Sequence, residues 1–185
     1  MVTATTPPAS GPDADAAAAL EGLTDGQLAT VEELARRCLG SGATLADVRG
    51  YTDDEMEAVY AFAHNAYRQG KYDDAAKLFY FLAENDHTDS RFWMGLGACL
   101  HMTGGHDQAL AAYAVAAVLD ATNPEPPLCA AECYLATGAL DGARKALDAV
   151  RLICDEAVAP EAHGRVLGRV AVLAAAVESG AGASK

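Results

Sequence analysis

The chain has 185 residues, enough for one domain with a substantial core, and its many alanines with only 7 prolines and 6% aromatic residues favour an all-α protein over a sheet protein. Its formal net charge of −13 lies mostly between residues 51 and 157 and repels phosphates and anionic lipid, so we predict no nucleic-acid partner and no membrane partner. We also expect no membrane span and no secretory signal, because no long apolar run occurs and no basic stretch precedes an apolar one.

The N-terminal part is predicted to contain a disordered segment and then a helical one. Residues 1–22 are rich in Pro, Ala, Asp and Thr and lack a helical apolar stripe, so we expect them to be disordered. A capping-box pattern at Thr24 predicts a helix over about 25–39, within an N-terminal helical segment of residues 23–50. Residues 44–48 predict one further short turn of helix before a glycine.

A period of 34 residues organises the middle of the chain. It occurs in three series, which are Gly70, Gly104 and Gly138; Ala75, Ala109 and Ala143; and Phe79, Tyr113 and Leu147. This is the length of a tetratricopeptide unit, and Trp93 with the Leu-Gly that follows it three residues later matches the signature of such a unit. The capping box of Thr52 and Glu55 predicts where the first repeat helix begins.

We therefore predict an all-α fold of three tandem tetratricopeptide repeats, over residues 56–89, 90–123 and 124–157, that form a short right-handed superhelix. Small residues let the two helices of each pair approach closely, namely Ala63, Gly97 and Ala131. Residues 158–178 are predicted to hold a C-terminal helix that caps the third repeat, and 179–185 to form a flexible tail.

The concave face of such a superhelix is lined mainly by the first helix of each pair. The residues predicted on this face are Tyr60, His64 and Tyr67 in the first repeat; Arg91, Met94, Ala98, His101 and Met102 in the second; and Leu128, Glu132 and Leu135 in the third. Tyrosine, methionine and leucine form an apolar stripe here, which suits an extended or helical peptide. The alternative is that some of these side chains pack against the N-terminal segment or the next helix, and that the histidines are ordinary, partly exposed ones.

Motifs for catalysis or for a cofactor are lacking. The sequence has no Gly-rich phosphate loop, no Gly-x-Ser-x-Gly and no His-Glu-x-x-His, so we predict that the protein is not an enzyme and needs no cofactor. Most of its 5 cysteines fall on apolar positions of helices, which indicates buried free thiols in a reducing cytosol. Cys129 and Cys133 could share a helix face, but no second pair of ligands has a suitable spacing, so no metal site is predicted.

Several strings within the repeats resemble one family more closely than a generic tetratricopeptide unit does. They are Gly70-Lys71-Tyr72-Asp73-Asp74-Ala75, Asp89-Ser90-Arg91-Phe92, Gly95-Leu96-Gly97-Ala98-Cys99 and Ala130-Ala131-Glu132-Cys133. They look like the class II chaperones of bacterial type III secretion, the translocator chaperones of the SycD/LcrH/IpgC type. The resemblance covers about residues 37–157.

This resemblance implies a small, acidic, cytosolic bacterial protein that holds hydrophobic translocator subunits before they are secreted. Members of the family bind a short motif near the client's N-terminus, with spaced Pro and Leu side chains, in the concave groove. The residues that match the family's groove aromatics are Tyr60, Tyr67 and Tyr72, with Tyr113 as a weaker match, while His64 stands where some members have an aromatic residue.

The resemblance also implies further partners. Members of the family often form homodimers through the segment before the repeats, here about residues 25–48, and some join a transcription activator, which this sequence neither supports nor excludes. Two other functions therefore stay open, a regulatory co-activator and a general peptide-binding tetratricopeptide adaptor. An adaptor of the carboxylate-clamp type needs several Lys or Arg residues in the groove, where Arg91 alone is evident.

Overall fold

A computed structural model describes residues 44–156 and 164–183, with side chains for 44–155 and 164–180, together with the single positions Thr24, Gly26 and Ala29. The chain divides into two compact units, residues 1–43 and 44–185, and the fold given below is that of the second unit. The predictions of disorder over 1–22 and of a helix over 25–39 lie outside the described residues, apart from Gly26 and Ala29, which are helical.

In its described part the second unit consists of helices, which are joined by short turns as far as residue 156. Its described helices are α1 (Leu45–Arg49), α2 (Asp53–Arg68), α3 (Tyr72–Asn85), α4 (Ser90–Met102), α5 (His106–Leu119), α6 (Glu125–Ala136), α7 (Leu140–Glu156) and α8 (Gly164–Ala183). From α2 onward each helix packs on the next one in the chain, and α8 also packs on α6. The predicted all-α fold is confirmed, and none of these helices combines the length and hydrophobicity that crossing a membrane requires.

Capping boxes fix where α1 and α2 begin. At α2 the backbone N–H of Thr52 donates to Glu55 Oε2 at 2.9 Å, and the N–H of Glu55 donates to Thr52 Oγ1 at 3.2 Å. Thr44 and Asp47 make the same reciprocal pair at α1. These bonds satisfy N–H groups that have no partner within a helix, so the capping box predicted at Thr52 is confirmed.

The turn inside each helix pair has the same geometry three times. The central glycine has a positive φ, of 77° at Gly70, 83° at Gly104 and 75° at Gly138. In the first turn the N–H of Gly70 donates to Tyr67 O at 2.9 Å. The N–H of Lys71 donates to Ala66 O at 3.0 Å. This is the Schellman ending of a helix, whose left-handed residue favours glycine, and it explains the first of the 34-residue series.

Small residues bring the helices of a pair together, as predicted. Ala63, Gly97 and Ala131 are all buried. At Gly97 an ideal Cβ would lie 2.6 Å from Tyr113 Cε1, so the ring of Tyr113 occupies the space that a side chain would need. Tyr113 is consequently 1% exposed and belongs to the interior between α4, α5 and α6. The prediction that Tyr113 lies in the groove is wrong, because this ring packs against its own helix pair.

The C-terminal helix extends further than predicted and covers the third repeat. It runs to Ala183, so residues 179–183, predicted to be part of a flexible tail, are helical. Gly180 lies against Leu140 of α7, where an ideal Cβ would be 3.3 Å from Leu140 Cδ2, and the alanines around it favour a helix. Val166, Val170 and Val177 of α8 join the buried apolar cluster of the third repeat.

Candidate binding groove

A cavity of about 350 Å³ opens on the face shared by α2, α4 and the start of α6. Its volume lies at the lower end of the range that is typical of ligand-binding clefts. The residues that line it are Tyr60, His64, Tyr67, Phe79, Ser90, Arg91, Met94, Gly95, Ala98, Asn123 and Glu125. The wall is aromatic and aliphatic in its centre, and polar groups are contributed by His64, Ser90, Arg91, Asn123 and Glu125.

Tyr60 lies at the centre of an aromatic cluster in this wall. Its ring centroid is 6.0 Å from that of Phe79, with the rings edge to face, and 5.8 Å from that of Phe92. His64 follows one helical turn later on the same face of α2, with its ring centroid 6.3 Å from Tyr60. Rings held on several sides lose little further freedom when a ligand binds, so the cluster is a preformed apolar surface.

Tyr67 lies two turns after Tyr60 and is supported from outside the cavity. Its ring meets that of Tyr72 edge to face, with centroids 5.3 Å apart, and Tyr72 itself is not part of the cavity lining. Burial raises the pKa of Tyr67, so its hydroxyl stays protonated and able to donate a hydrogen bond near neutral pH.

Arg91 is the cation among the residues that line the cavity, and it is held by two carboxylates. Its Nη2 lies 2.7 Å from Asp89 Oδ2 and 3.1 Å from Glu57 Oε2. Its guanidinium carbon also lies 4.8 Å from the centre of the Tyr60 ring. The hydrogen bonds that Arg91 donates to Asp89 are the main reason why the pKa of Arg91 is raised further. Arg91 is therefore a fixed cation that covers Tyr60 at the rim.

The cavity brings together about half of the residues predicted on the concave face. Those that line it are Tyr60, His64, Tyr67, Arg91, Met94 and Ala98. Phe79 and Gly95 also line the cavity, although Phe79 stood out in the sequence only as a member of the 34-residue series and Gly95 was not predicted there. A Cβ at Gly95 would collide with the ring of Phe79, so a small residue is required at this point of the wall. The lining residues Ser90, Asn123 and Glu125, at the starts of α4 and α6, were missed as well.

The third repeat offers less open surface than predicted, because α8 covers it. Leu128 is 0% exposed and belongs to the buried cluster shared with α8, so its assignment to the groove is wrong. Leu135 packs against the same cluster. Glu132 accepts a hydrogen bond at 2.6 Å from Arg169 of α8, which also reaches Glu125 at 3.0 Å.

The remaining predicted residues lie on α4 outside the cavity. Met102 is about half exposed at the end of the helix. His101 lies against His106, with ring centroids 5.4 Å apart, and a ligand atom of each comes within 4.8 Å of the other and of the Cys133 sulfur. This cluster was not predictable from the sequence, because its members come from three helices and have no paired spacing.

The described cysteines are free thiols, as predicted. Burial raises the pKa of Cys99, Cys129 and Cys133 to about 11, so these thiols are uncharged near neutral pH. Cys38 lies outside the described residues.

Stacked helix pairs with a 34-residue period and a concave aromatic cavity define a tetratricopeptide repeat protein. The family model described as tetratricopeptide repeat matches residues 60–124. Low calcium response locus protein H of Yersinia pestis is 41% identical over 129 residues, which cover 69% of this chain and 77% of that protein.

Solved structures of similar proteins support the same family. The type III secretion translocator chaperone SycD of Yersinia enterocolitica is 36% identical, with a TM-score of 0.65 over 71% of this chain and 96% of that chain. PcrH, crystallised with the chaperone binding region of PopD, is 37% identical, with a TM-score of 0.63 over 74% of this chain and 98% of that chain. The chain belongs to the family of type III secretion translocator chaperones.

Proposed function

We propose that this chain is a cytoplasmic bacterial chaperone that binds hydrophobic translocator subunits through a short segment near the client's N-terminus. The observation that carries the proposal is the apolar cavity between α2 and α4, in a chain whose relative PcrH was crystallised with the chaperone binding region of PopD. The proposed contacts are Tyr60, His64, Tyr67, Met94 and Ala98, with Arg91 at the rim.

Apolar side chains of the client bind because the cavity removes their surface from water. The tyrosines present rigid surfaces, while Met94 adapts its shape to leucine or proline side chains. Each apolar side chain that becomes fully buried contributes about 1.5–3 kcal/mol before the cost of ordering the peptide. Ser90 and Asn123 offer polar groups at the edge of the cavity for the client backbone.

The charge of the body explains how the complex stays soluble. A client that later inserts into a membrane exposes apolar segments that aggregate in water, and the net charge of −13 opposes association of the complexes. Binding and release of this kind need neither catalysis nor a nucleotide, because the secretion apparatus can pull the client away.

The cavity supports this role better than that of a carboxylate-clamp adaptor. A clamp needs cations that are free to bind a terminal carboxylate, whereas Arg91 is already paired with Glu57 and Asp89. A further acidic group, Glu125, also lines the cavity.

A peptide titration tests the proposed groove. A labelled peptide from the N-terminal part of a translocator encoded near this gene is titrated with the full chain, and fluorescence anisotropy gives the Kd. Tyr60→Ala is expected to raise the Kd by about 30-fold or more, as for a central aromatic contact. Ala98→Glu, which puts a carboxylate in the apolar wall, is expected to do the same. The matched control is Tyr80→Ala, because Tyr80 is 62% exposed on α3 and does not line the cavity.

Two results would contradict the proposal. If Tyr60→Ala and Ala98→Glu both bind with the wild-type Kd while circular dichroism shows an intact helical fold, the client does not bind in this cavity. If neither the peptide nor the full-length translocator, co-expressed with the chain, forms a complex, the chaperone function itself is wrong.

A further inference from the structure

Three potential metal ligands from three different helices meet beside the stacking surface of the second and third repeats. His101 is near the end of α4, His106 is the first residue of α5, and Cys133 is a fully buried residue of α6. One ligand atom from each residue lies within 4.8 Å of the other two. The two imidazole rings meet edge to face, with centroids 5.4 Å apart.

A second observation is that one imidazole nitrogen of this cluster is buried without a hydrogen-bond partner in the described part of the chain. Nδ1 of His106 is buried and, among the described residues, has no hydrogen-bond partner. A buried polar atom without a partner is unfavourable by about 1–3 kcal/mol, and native structures rarely keep one without a reason. A metal ion bound to the cluster would supply a partner for an imidazole nitrogen here.

We propose that His101, His106 and Cys133 form a binding site for a transition-metal ion of the Zn²⁺ type. Two imidazoles and one thiolate are ligands that favour Zn²⁺ or copper over Mg²⁺ or Ca²⁺. Zinc–nitrogen and zinc–sulfur bonds of roughly 2.0–2.3 Å in a tetrahedron place neighbouring ligand atoms about 3.3–3.7 Å apart, so side-chain shifts of about 1 Å close the site. Water completes the fourth position, since both histidines are partly exposed.

The chemistry of binding is an exchange of a proton for the metal. The S–H bond of Cys133 breaks, its sulfur forms a bond to the ion, and the proton leaves to solvent, while each neutral histidine donates a nitrogen lone pair without other change. No electron is transferred. Because the ligands belong to α4, α5 and α6, the bound ion joins the second repeat to the third.

This site is separate from the cavity proposed for the client. His101, His106 and Cys133 are not among the residues that line that cavity. The inference therefore does not rest on the proposed function, and either one can fail without the other.

Zinc binding to the full chain without an affinity tag tests the site. The reduced protein is titrated with Zn²⁺ in competition with a chromogenic chelator, and a parallel Co²⁺ titration records the thiolate-to-cobalt charge-transfer band. We expect one equivalent of zinc per chain, a melting temperature that rises until one equivalent is bound, and no effect of Mg²⁺. His101→Ala, His106→Ala and Cys133→Ala should each lose the stoichiometric binding, and Cys133→Ala should also lose the cobalt band.

Matched controls separate this site from unspecific binding. His87→Ala changes an exposed histidine in the turn before α4, and Cys99→Ala changes another fully buried thiol, so both variants should keep one equivalent. Because Cys133→Ala alters the core, His101→Ala with an unchanged circular dichroism spectrum is the decisive variant. The proposal is overturned if the wild type takes up no stoichiometric zinc, or if His101→Ala and Cys133→Ala still bind one equivalent.

Discussion

Gly97 determines how closely the two helices of the second repeat approach. It lies buried on α4 under the ring of Tyr113, and an ideal Cβ at this position would be 2.6 Å from Tyr113 Cε1. Gly168 is also inside a helix, but a Cβ there would meet nothing within 4 Å. Gly97 is therefore required for packing, whereas at Gly168 glycine contributes only its low helix propensity.

We predict opposite effects of Gly→Ala at these two positions. Gly97→Ala should lower the free energy of unfolding by about 1–2 kcal/mol, because forcing a methyl group into a packed contact outweighs the gain in helix propensity. Gly168→Ala should raise it by about 0.5–1 kcal/mol, since only the propensity changes. Urea unfolding followed by circular dichroism measures both, and a stabilising Gly97→Ala would show that the Tyr113 ring moves aside freely.

The capping box at α2 predicts a pH dependence. The backbone hydrogen bond from Thr52 lowers the pKa of Glu55 from its ordinary 4.5. A carboxyl whose pKa is lower in the folded than in the unfolded state stabilises the fold fully above its unfolded pKa, and this contribution is lost as the pH falls through the folded value. An NMR titration should find the Glu55 midpoint below 4.5.

Threonine variants give the control for this titration. In Thr52→Ala the Glu55 midpoint should rise part of the way toward its ordinary value, because the second donor, the Thr52 hydroxyl, is lost while the backbone N–H of residue 52 remains. In Thr122→Ala it should not change, because Thr122 caps a turn with Asp120 far along the chain. Equal Glu55 midpoints in wild type and Thr52→Ala would show that the Thr52 hydroxyl does not contribute to the lowered pKa.

At the scale of helices, one buried polar side chain connects α1 to α3. Asn85 is 0% exposed, its Oδ1 accepts a hydrogen bond from Arg49 Nη1 at 2.8 Å, and its Nδ2 donates to Phe81 O at 2.8 Å. A buried amide with both ends satisfied orients the short helix α1 on the first repeat.

We predict that Asn85→Ala lowers the free energy of unfolding by about 1–3 kcal/mol, since it removes two hydrogen bonds and leaves a small void. Arg49→Ala should lower it by about 1 kcal/mol through the same contact. The control is Lys77→Ala, which removes an exposed ion pair with Asp74 and should change stability by less than about 0.5 kcal/mol. Chemical denaturation of the wild type, the three single variants and the Arg49→Ala/Asn85→Ala double variant measures these values. A coupling free energy near zero between Arg49 and Asn85 would contradict the contact.

The helices were predictable because their signals are local. The glycine turns and the capping box at Thr52 each depend on residues a few positions apart, and they bound the helix pairs closely. The site was less predictable because it depends on contacts between distant segments. Burial of Leu128 follows from α8 packing on α6, more than thirty residues later, and Tyr113 is hidden because Gly97 leaves room for its ring.

The whole repeat unit has separate apolar clusters along its length. One surrounds Phe79 and Leu82 in the first repeat and extends to Phe92 and Leu96 of α4. Another surrounds Leu147 and Val170 in the third repeat and α8. A smaller cluster around Tyr113 lies between them. In stacked repeats each unit contacts its neighbours, so stability is a sum of local terms and the two ends can loosen separately.

This arrangement predicts where two equivalent core substitutions act. Leu82 and Leu147 are both nearly unexposed, and either one changed to alanine should lower the free energy of unfolding of its own region by about 2–5 kcal/mol. In native-state hydrogen exchange, Leu147→Ala should speed exchange of α6, α7 and α8 by about 30-fold or more and change α2 and α3 far less. Leu82→Ala should show the reverse pattern. If both variants speed exchange equally throughout residues 44–156, the repeats unfold as one cooperative unit and their clusters are not energetically separate.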